Sequence, residues 1–177
     1  TAGSNSTNQR YMFHSMDATI GDTTNKLWLY AGTGNYERIA DKSAGTDNLL
    51  LGINDPYYPR YRDIKTATKA ADLSECVNTT KDTTGANCPK LTKHKGWYIK
   101  LDNYEKVTAE PTVSTGLVYF PIYKPTTSVN ACSLGDAYIC AVDDECGTNL
   151  SSRLGQNTKH AQANEKCRYV GEGVLSR

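Results

Sequence analysis

"DAYICAVDDECG", residues 136–147, and "GWYIKLDNYEK", residues 96–106, have the same shape: a short apolar strand, an Asp at its exit, then a polar turn. Asp and Gly at such a position make the tight turn that takes a propeller strand out of the sheet. The two copies begin at 96 and 136, a separation in the range of a propeller-blade repeat. Around them, strands recur at intervals of about ten residues with turns between, which is the pattern of a sandwich, barrel or propeller. The paired strand-Asp-turn motif selects the propeller. The chain therefore reads as mainly β, several blades of an incomplete β-propeller with long disulfide-stapled loops.

Working outward, "EKVTAEPTVSTGLVYFPIYKPT" (105–126) reads as a strand, a Pro-bounded step, a second strand, a Ser-Thr-Gly turn and a third strand. Gly116 turns the hairpin, and Pro111 sits where no ladder donor is needed. "NKLWLYAGTGNY" (25–36) is an apolar strand entering a Gly-Thr-Gly bend where backbones can pass closely, and "NLLLGIND" (48–55) ends at an Asn-Asp-Pro turn signal. In "GWYIKLD" (96–102) Trp97, Ile99 and Leu101 share one face and Tyr98 and Lys100 the other. "YVGEGVLSR" (169–177) is a last strand. An apolar strand running to Arg177 would leave half a ladder unpaired, so the native protein is expected to continue beyond it. Residues 1–24 read as a polar lead-in or loop, and 25–177 as blade strands and loops. Only "YRDIKTATKAADLSEC" (61–76) has helical spacing, through Ile64, Ala67, Ala71 and Leu73, and predicts one short helix near 61–75.

The chain has 177 residues, and its 20 basic and 19 acidic side chains nearly cancel, so nothing resembles a nucleic-acid footprint or a polybasic membrane patch. No apolar run is long enough for a transmembrane helix, and "TAGSNSTNQR" has neither part of a signal peptide. Twelve Tyr against two Phe, amid many Thr, Asn and Ser, favour β structure with polar loops.

Six cysteines, none in a Cys-x-x-Cys pair, argue for disulfides and an oxidising compartment. Cys76 and Cys88 bracket one polar loop, and Cys146 and Cys167 another. That leaves Cys132 with Cys140. Each closure contributes on the order of 3 kcal/mol in the chain-entropy model. Exchange among Cys132, Cys140, Cys146 and Cys167 stays open.

Taken together, "LWLYAGTGNYE", "LLLGINDPYYP", "GWYIKLDNYEKVTAEPTVSTGLVYFPIYKPT", "CSLGDAYICAVDDECG" and "YVGEGVLSR" resemble, in order and spacing, the C-terminal β-propeller of the PilC/PilY family of type IV pilus tip-associated adhesins. The resemblance implies a non-enzymatic surface protein at the pilus tip or bacterial outer surface. It also implies a role in promoting pilus assembly against retraction and in adhesion, with minor pilins and a host or surface receptor as partners. Calcium, by the same resemblance, belongs to an Asp-rich loop of the parent protein upstream of this chain.

Within the chain, the nearest oxygen ligands for a metal are Asp143, Asp144 and Glu145. Consecutive carboxylates at a strand end point in different directions, whereas a calcium loop needs alternate ones, so these read as a solvated turn. His14, His94 and His160 lie among polar neighbours, and no Gly-x-Ser-x-Gly elbow places a nucleophile beside a base, so catalysis is not expected. The Lys-rich run from Lys81 to Lys106 is interrupted by Asp82, Asp102 and Glu105 and reads as a solvated face. Asn5, Asn78 and Asn149 head Asn-x-Ser/Thr sequons, which in a bacterial family are chance. Tyr57, Tyr58, Arg60, Tyr61 and Arg62 form the one contact patch. Alternative classes are a quinoprotein-like propeller enzyme, suggested by "GTGNYE", and a generic secreted, disulfide-stapled binding or filament component.

Overall fold

Strand alternation, read along the chain, assembles two sheets. The computed structural model describes residues 10–35, 37, 39, 47–60, 68–76, 95–101, 104–126, 134–148, 150–154 and 167–175. The first sheet is built from β1 (Asp17–Ile20), β2 (Leu27–Gly32), β3 (Leu49–Asn54), β4 (Ser74–Glu75) and β5 (Gly96–Lys100), in the order β1-β2-β3-β5-β4. The second holds β6 (Lys106–Val107), β7 (Thr112–Ser114), β8 (Leu117–Lys124), β9 (Asp136–Asp143) and β10 (Cys167–Glu172). Its order is β10-β9-β8-β6, with β7 also on β8. All pairs are antiparallel except β4 with β5. Among the described residues neither sheet closes on itself.

The expectation for 105–126 is borne out strand for strand. Thr115 and Gly116, with φ of 49° and 75°, form the two-residue turn between paired Ser114 and Leu117. Both positions need a left-handed backbone, which explains the glycine. Pro121 lies inside β8, where a missing N–H would normally break a ladder. It faces the step between β6 and β7, and its carbonyl accepts from the Thr108 N–H at 3.1 Å. The break in the partner strand thus falls where β8 has no donor.

One core lies between the sheets. Tyr30, Gly52 and Trp97 form a row across β2, β3 and β5. A side chain at Gly52 would start 2.2 Å from the Trp97 ring, so the glycine provides the space into which the indole leans. Trp97 then meets Tyr30 at 6.4 Å and, across the sheet interface, the edge of Phe120 at 6.3 Å. Phe120 continues a second row, Phe120-Cys140-Cys167, over β8, β9 and β10. Trp28, Trp97, Phe120, Ile122 and Val118 are all fully buried there.

Three expectations are corrected. β1 lies inside the stretch 1–24 expected as a loop. In place of a helix near 61–75, the described part, from Thr68 on, has one 3-10 turn, Ala70–Asp72, followed by the short strand β4. The Asp72 carboxylate accepts from the Lys69 N–H, and the Cys76 N–H donates to the Tyr98 carbonyl, so this segment is recruited to the edge of β5. Finally, Cys140 is bonded to Cys167, which overturns both the Cys146–Cys167 and the Cys132–Cys140 pairings. Cys140 and Cys167 stand directly opposite on antiparallel strands with their Cα atoms 4.0 Å apart, and register, not loop length, decides the partner. Cys88 and Cys132 lie outside the described residues.

Candidate functional site

The site with the most convergent chemistry is the exit of β9, which the sequence marks as Asp143-Asp144-Glu145. None of the three acts as a solvated charge pointing at an ion. The Asp143 carboxylate accepts from the Glu145 and Cys146 N–H groups at 3.1 and 2.7 Å, an Asx turn that reverses the chain. Gly147, at φ 68°, completes it and packs its bare Cα face on the Trp97 indole. The Trp97 Nε1–H donates to the Asp144 carbonyl at 3.0 Å.

Glu145 is only 6% exposed, which corrects the reading of this stretch as a solvated turn. Its carboxylate accepts from the backbone N–H groups of Thr23 and Thr24 at 2.6 and 2.9 Å, in the β1–β2 hairpin more than a hundred residues away. Gly21 leaves room for it, since a Cβ there would lie 2.7 Å from the Glu145 carboxyl carbon. A buried charge satisfied by two backbone donors locks the first sheet to the end of β9. Among the described residues no group of three or more His, Cys, Asp or Glu side chains is arranged to hold a metal.

The electrostatics follow from that burial. Desolvation, then the neighbouring Asp143 charge, holds the Asp144 carboxyl above its ordinary range. Burial, then the charges of Asp144, Glu145, Asp143 and Asp17, pushes the Tyr30 hydroxyl well above its usual range, so it stays neutral. Burial lowers His14. At the opposite edge, hydrogen bonds from Lys100 and Tyr98 hold Glu75 below its ordinary range.

The Gly-Thr-Gly bend, which suggested the quinoprotein alternative, has a structural task. The Thr33 carbonyl accepts from the Val107 N–H at 3.1 Å, the Thr33 hydroxyl accepts from the Leu49 N–H at 2.8 Å, and Gly32 leaves space for the Val107 side chain. The bend is the seam between the first sheet and β6.

The second candidate is a surface. The outer face of the first sheet presents Leu29, Leu51 and Ile53 with Met12, Met16 and Leu73 around a cavity of about 350 Å³, rimmed by Arg10, Lys69 and Lys100. Met12 and Met16 are about half exposed, at 46% and 54%. The apolar runs of β2 and β3 signalled strands, but their apolar residues were not read as two separate surfaces. Of the tyrosine-arginine patch, Tyr57 and Tyr58 are half-buried beside the Asp55 turn and Arg60 is exposed, while Tyr61 and Arg62 lie outside the described residues. His94, His160, the three sequon asparagines and the lysine run up to residue 94 lie outside them too.

No protein-family model matches the chain. It is 28% identical over 155 residues to a protein of Xylella fastidiosa described as a type IV pilus biogenesis factor PilY1 homolog, covering 80% of this chain and 10% of that protein. The crystal structure of the Pseudomonas aeruginosa PilY1 C-terminal domain superposes with a TM-score of 0.57 at 14% identity. That match covers 92% of this chain and 39% of the solved one. At such identity the second likeness is one of fold. The chain thus spans about a tenth of the length of the curated relative it matches.

Proposed function

We propose that the chain belongs with the PilY1 family, to whose members it is similar in sequence and fold, and that it is part of the C-terminal β-propeller of a type IV pilus tip protein. Such a protein would promote pilus biogenesis by opposing retraction and would adhere to host cells or other surfaces. The observation that carries the reading is the relative described as a pilus biogenesis factor, matched over four-fifths of this chain. Two consecutive meanders, β2-β3-β5 and β8-β9-β10, stacked face to face, support their reading as neighbouring blades. The apolar outer face of the first sheet is where a preceding blade would stack.

In this reading the chain is scaffold and interaction surface, with no catalytic step. The partners are minor pilins and a host or surface receptor, and the place is the pilus tip or bacterial outer surface. The half-buried Tyr57 and Tyr58 with exposed Arg60 supply the contact patch, since aromatic and Arg side chains dominate interface energetics. In this reading calcium, where the parent protein holds it, belongs to a part of that protein outside this chain.

The test is an in-frame deletion of this segment from the full-length protein, with surface pili counted in strains with and without the retraction motor. Loss of pili that returns when retraction is removed supports the proposal. Unchanged piliation and adhesion overturn it.

A further inference from the structure

Cys76 directly follows the short edge strand of the first sheet, and Cys146 lies in the turn that leaves β9 of the second. Seventy residues separate them in sequence, yet the Cys76 thiol donates to the Cys146 carbonyl oxygen with Sγ 3.2 Å away. Covalent geometry then places the Cys146 Cα within about 6 Å of that sulfur. This is the range over which a side-chain rotation brings two sulfurs to bonding distance. Both backbones are held: the Cys76 N–H donates to the Tyr98 carbonyl at 2.8 Å, and the Cys146 N–H to the Asp143 carboxylate at 2.7 Å. Cys76 is 4% exposed and belongs to the inter-sheet core, whereas Cys146 is only half-buried.

We propose that Cys76 and Cys146 are a second disulfide site, one that ties the first sheet to the second. The sequence expectation paired Cys76 with Cys88 because they bracket a polar loop, the criterion that failed for Cys146 and Cys167. The exposure difference orders the chemistry. The Cys146 thiolate attacks an exported protein disulfide that serves as oxidant, forming a mixed disulfide and releasing one oxidant thiolate. The Cys76 thiolate then attacks the Cys146 sulfur and expels the second. Two protein thiols lose two electrons and two protons, and the oxidant disulfide becomes a dithiol. The hydrogen bond from Cys76 to the carbonyl is replaced by the covalent bond. Whereas Cys140–Cys167 joins neighbouring strands of one sheet, this bridge would cross between sheets and carry load when they are pulled apart.

The test is non-reducing peptide mapping of the full chain after oxidation with oxidised glutathione, free thiols being blocked before digestion. A linked peptide pair containing Cys76 and Cys146 is the expected result. Cys76 linked to Cys88, or Cys76 and Cys146 both recovered blocked, overturns the proposal. As a second readout, replacing either cysteine by Ser should make the wild-type difference in urea midpoint between oxidised and reduced protein shrink by the same amount as replacing both. Unequal single and double effects would refute the link.

Discussion

The two faces of the first sheet are made from the same three strands and are finished differently. On the inner face Trp28, Tyr30 and Trp97 have no exposed surface, and Gly52, Gly147 and Phe120 fit around the Trp97 ring. On the outer face Leu49 and Leu51 are buried, but Leu29 and Ile53 are half-buried and Met12 and Met16 about half exposed. The inner face is complementary in shape, with a glycine placed where an indole needs room. The outer face is apolar without that fit among the described residues. Stability is thereby concentrated inside, and the outer face is left as the surface on which a further sheet can stack.

The hardest blow to this contrast is Trp97→Ala. Removing a fully buried indole costs about 3–5 kcal/mol in comparable cores. Here the Asp144 carbonyl also loses its donor. Urea unfolding should show a large part of the chain's stability gone, given that domains of this size have about 5–15 kcal/mol in all. A cost below about 1 kcal/mol would mean that the inner face is not the keystone.

Gly52→Ala tests the same face from the opposite direction. The added methyl would meet the Trp97 ring at 2.2 Å, and that ring has Tyr30, Phe120 and Gly147 around it and nowhere to retreat. Overpacking of this kind costs about 1–3 kcal/mol. Wild-type stability in this variant would show that the indole can move and that the fit is looser than the geometry implies.

These two residues also show what the sequence could reveal. The alternation of 96–102 placed Trp97, Ile99 and Leu101 inward, and the Ser-Thr-Gly turn located the β7–β8 hairpin, because both signals are local. β1 was invisible because its four residues, Asp-Ala-Thr-Ile, make too short a run, and their alternation puts the apolar Ala18 and Ile20 on the exposed side. Glu145 looked like one charge in an acidic turn, since its donors at Thr23 and Thr24 lie far away in sequence. The cysteine pairing failed for the same reason: Cys140 meets Cys167 through strand register, which loop composition does not encode. Of the surfaces, the Tyr57-Tyr58-Arg60 cluster was legible as side chains, but the outer groove required the sheet to be assembled first.

The outer face is probed by Leu29→Ser combined with Ile53→Ser. Both side chains are already half-buried, so in this chain alone the pair should cost only about 1–2 kcal/mol at the usual value per area of apolar surface. Within the full-length protein the same pair should cost clearly more, because a stacked sheet would bury what remains. Equal costs in the two settings would remove the case for a neighbour on that face.

The smallest effect separates the buried site from the sheet edge by pH. Asp144 is held above its ordinary range by burial, so the unfolded chain gives up this proton more readily than the folded one. Its ionisation therefore opposes folding, and that penalty sets in as pH rises from the unfolded value, about 3.9, through the folded one. Asp144→Asn removes the charge while keeping an oxygen for the Glu145 N–H, which Asp144 accepts at 2.9 Å. The variant should melt at a higher temperature than wild type at pH 7, with the difference vanishing at pH 3. Glu75 has the opposite sign. Its pKa is lowered by Lys100 and Tyr98, so its contribution is present above the unfolded value and is lost as pH falls through the folded one. Because Glu75 and Lys100 are substantially exposed, salt should erase the Glu75→Gln effect and leave the Asp144→Asn effect in place. If salt erased both, Asp144 would behave as a surface charge, and the interior character assigned to the β9 exit would have to be given up.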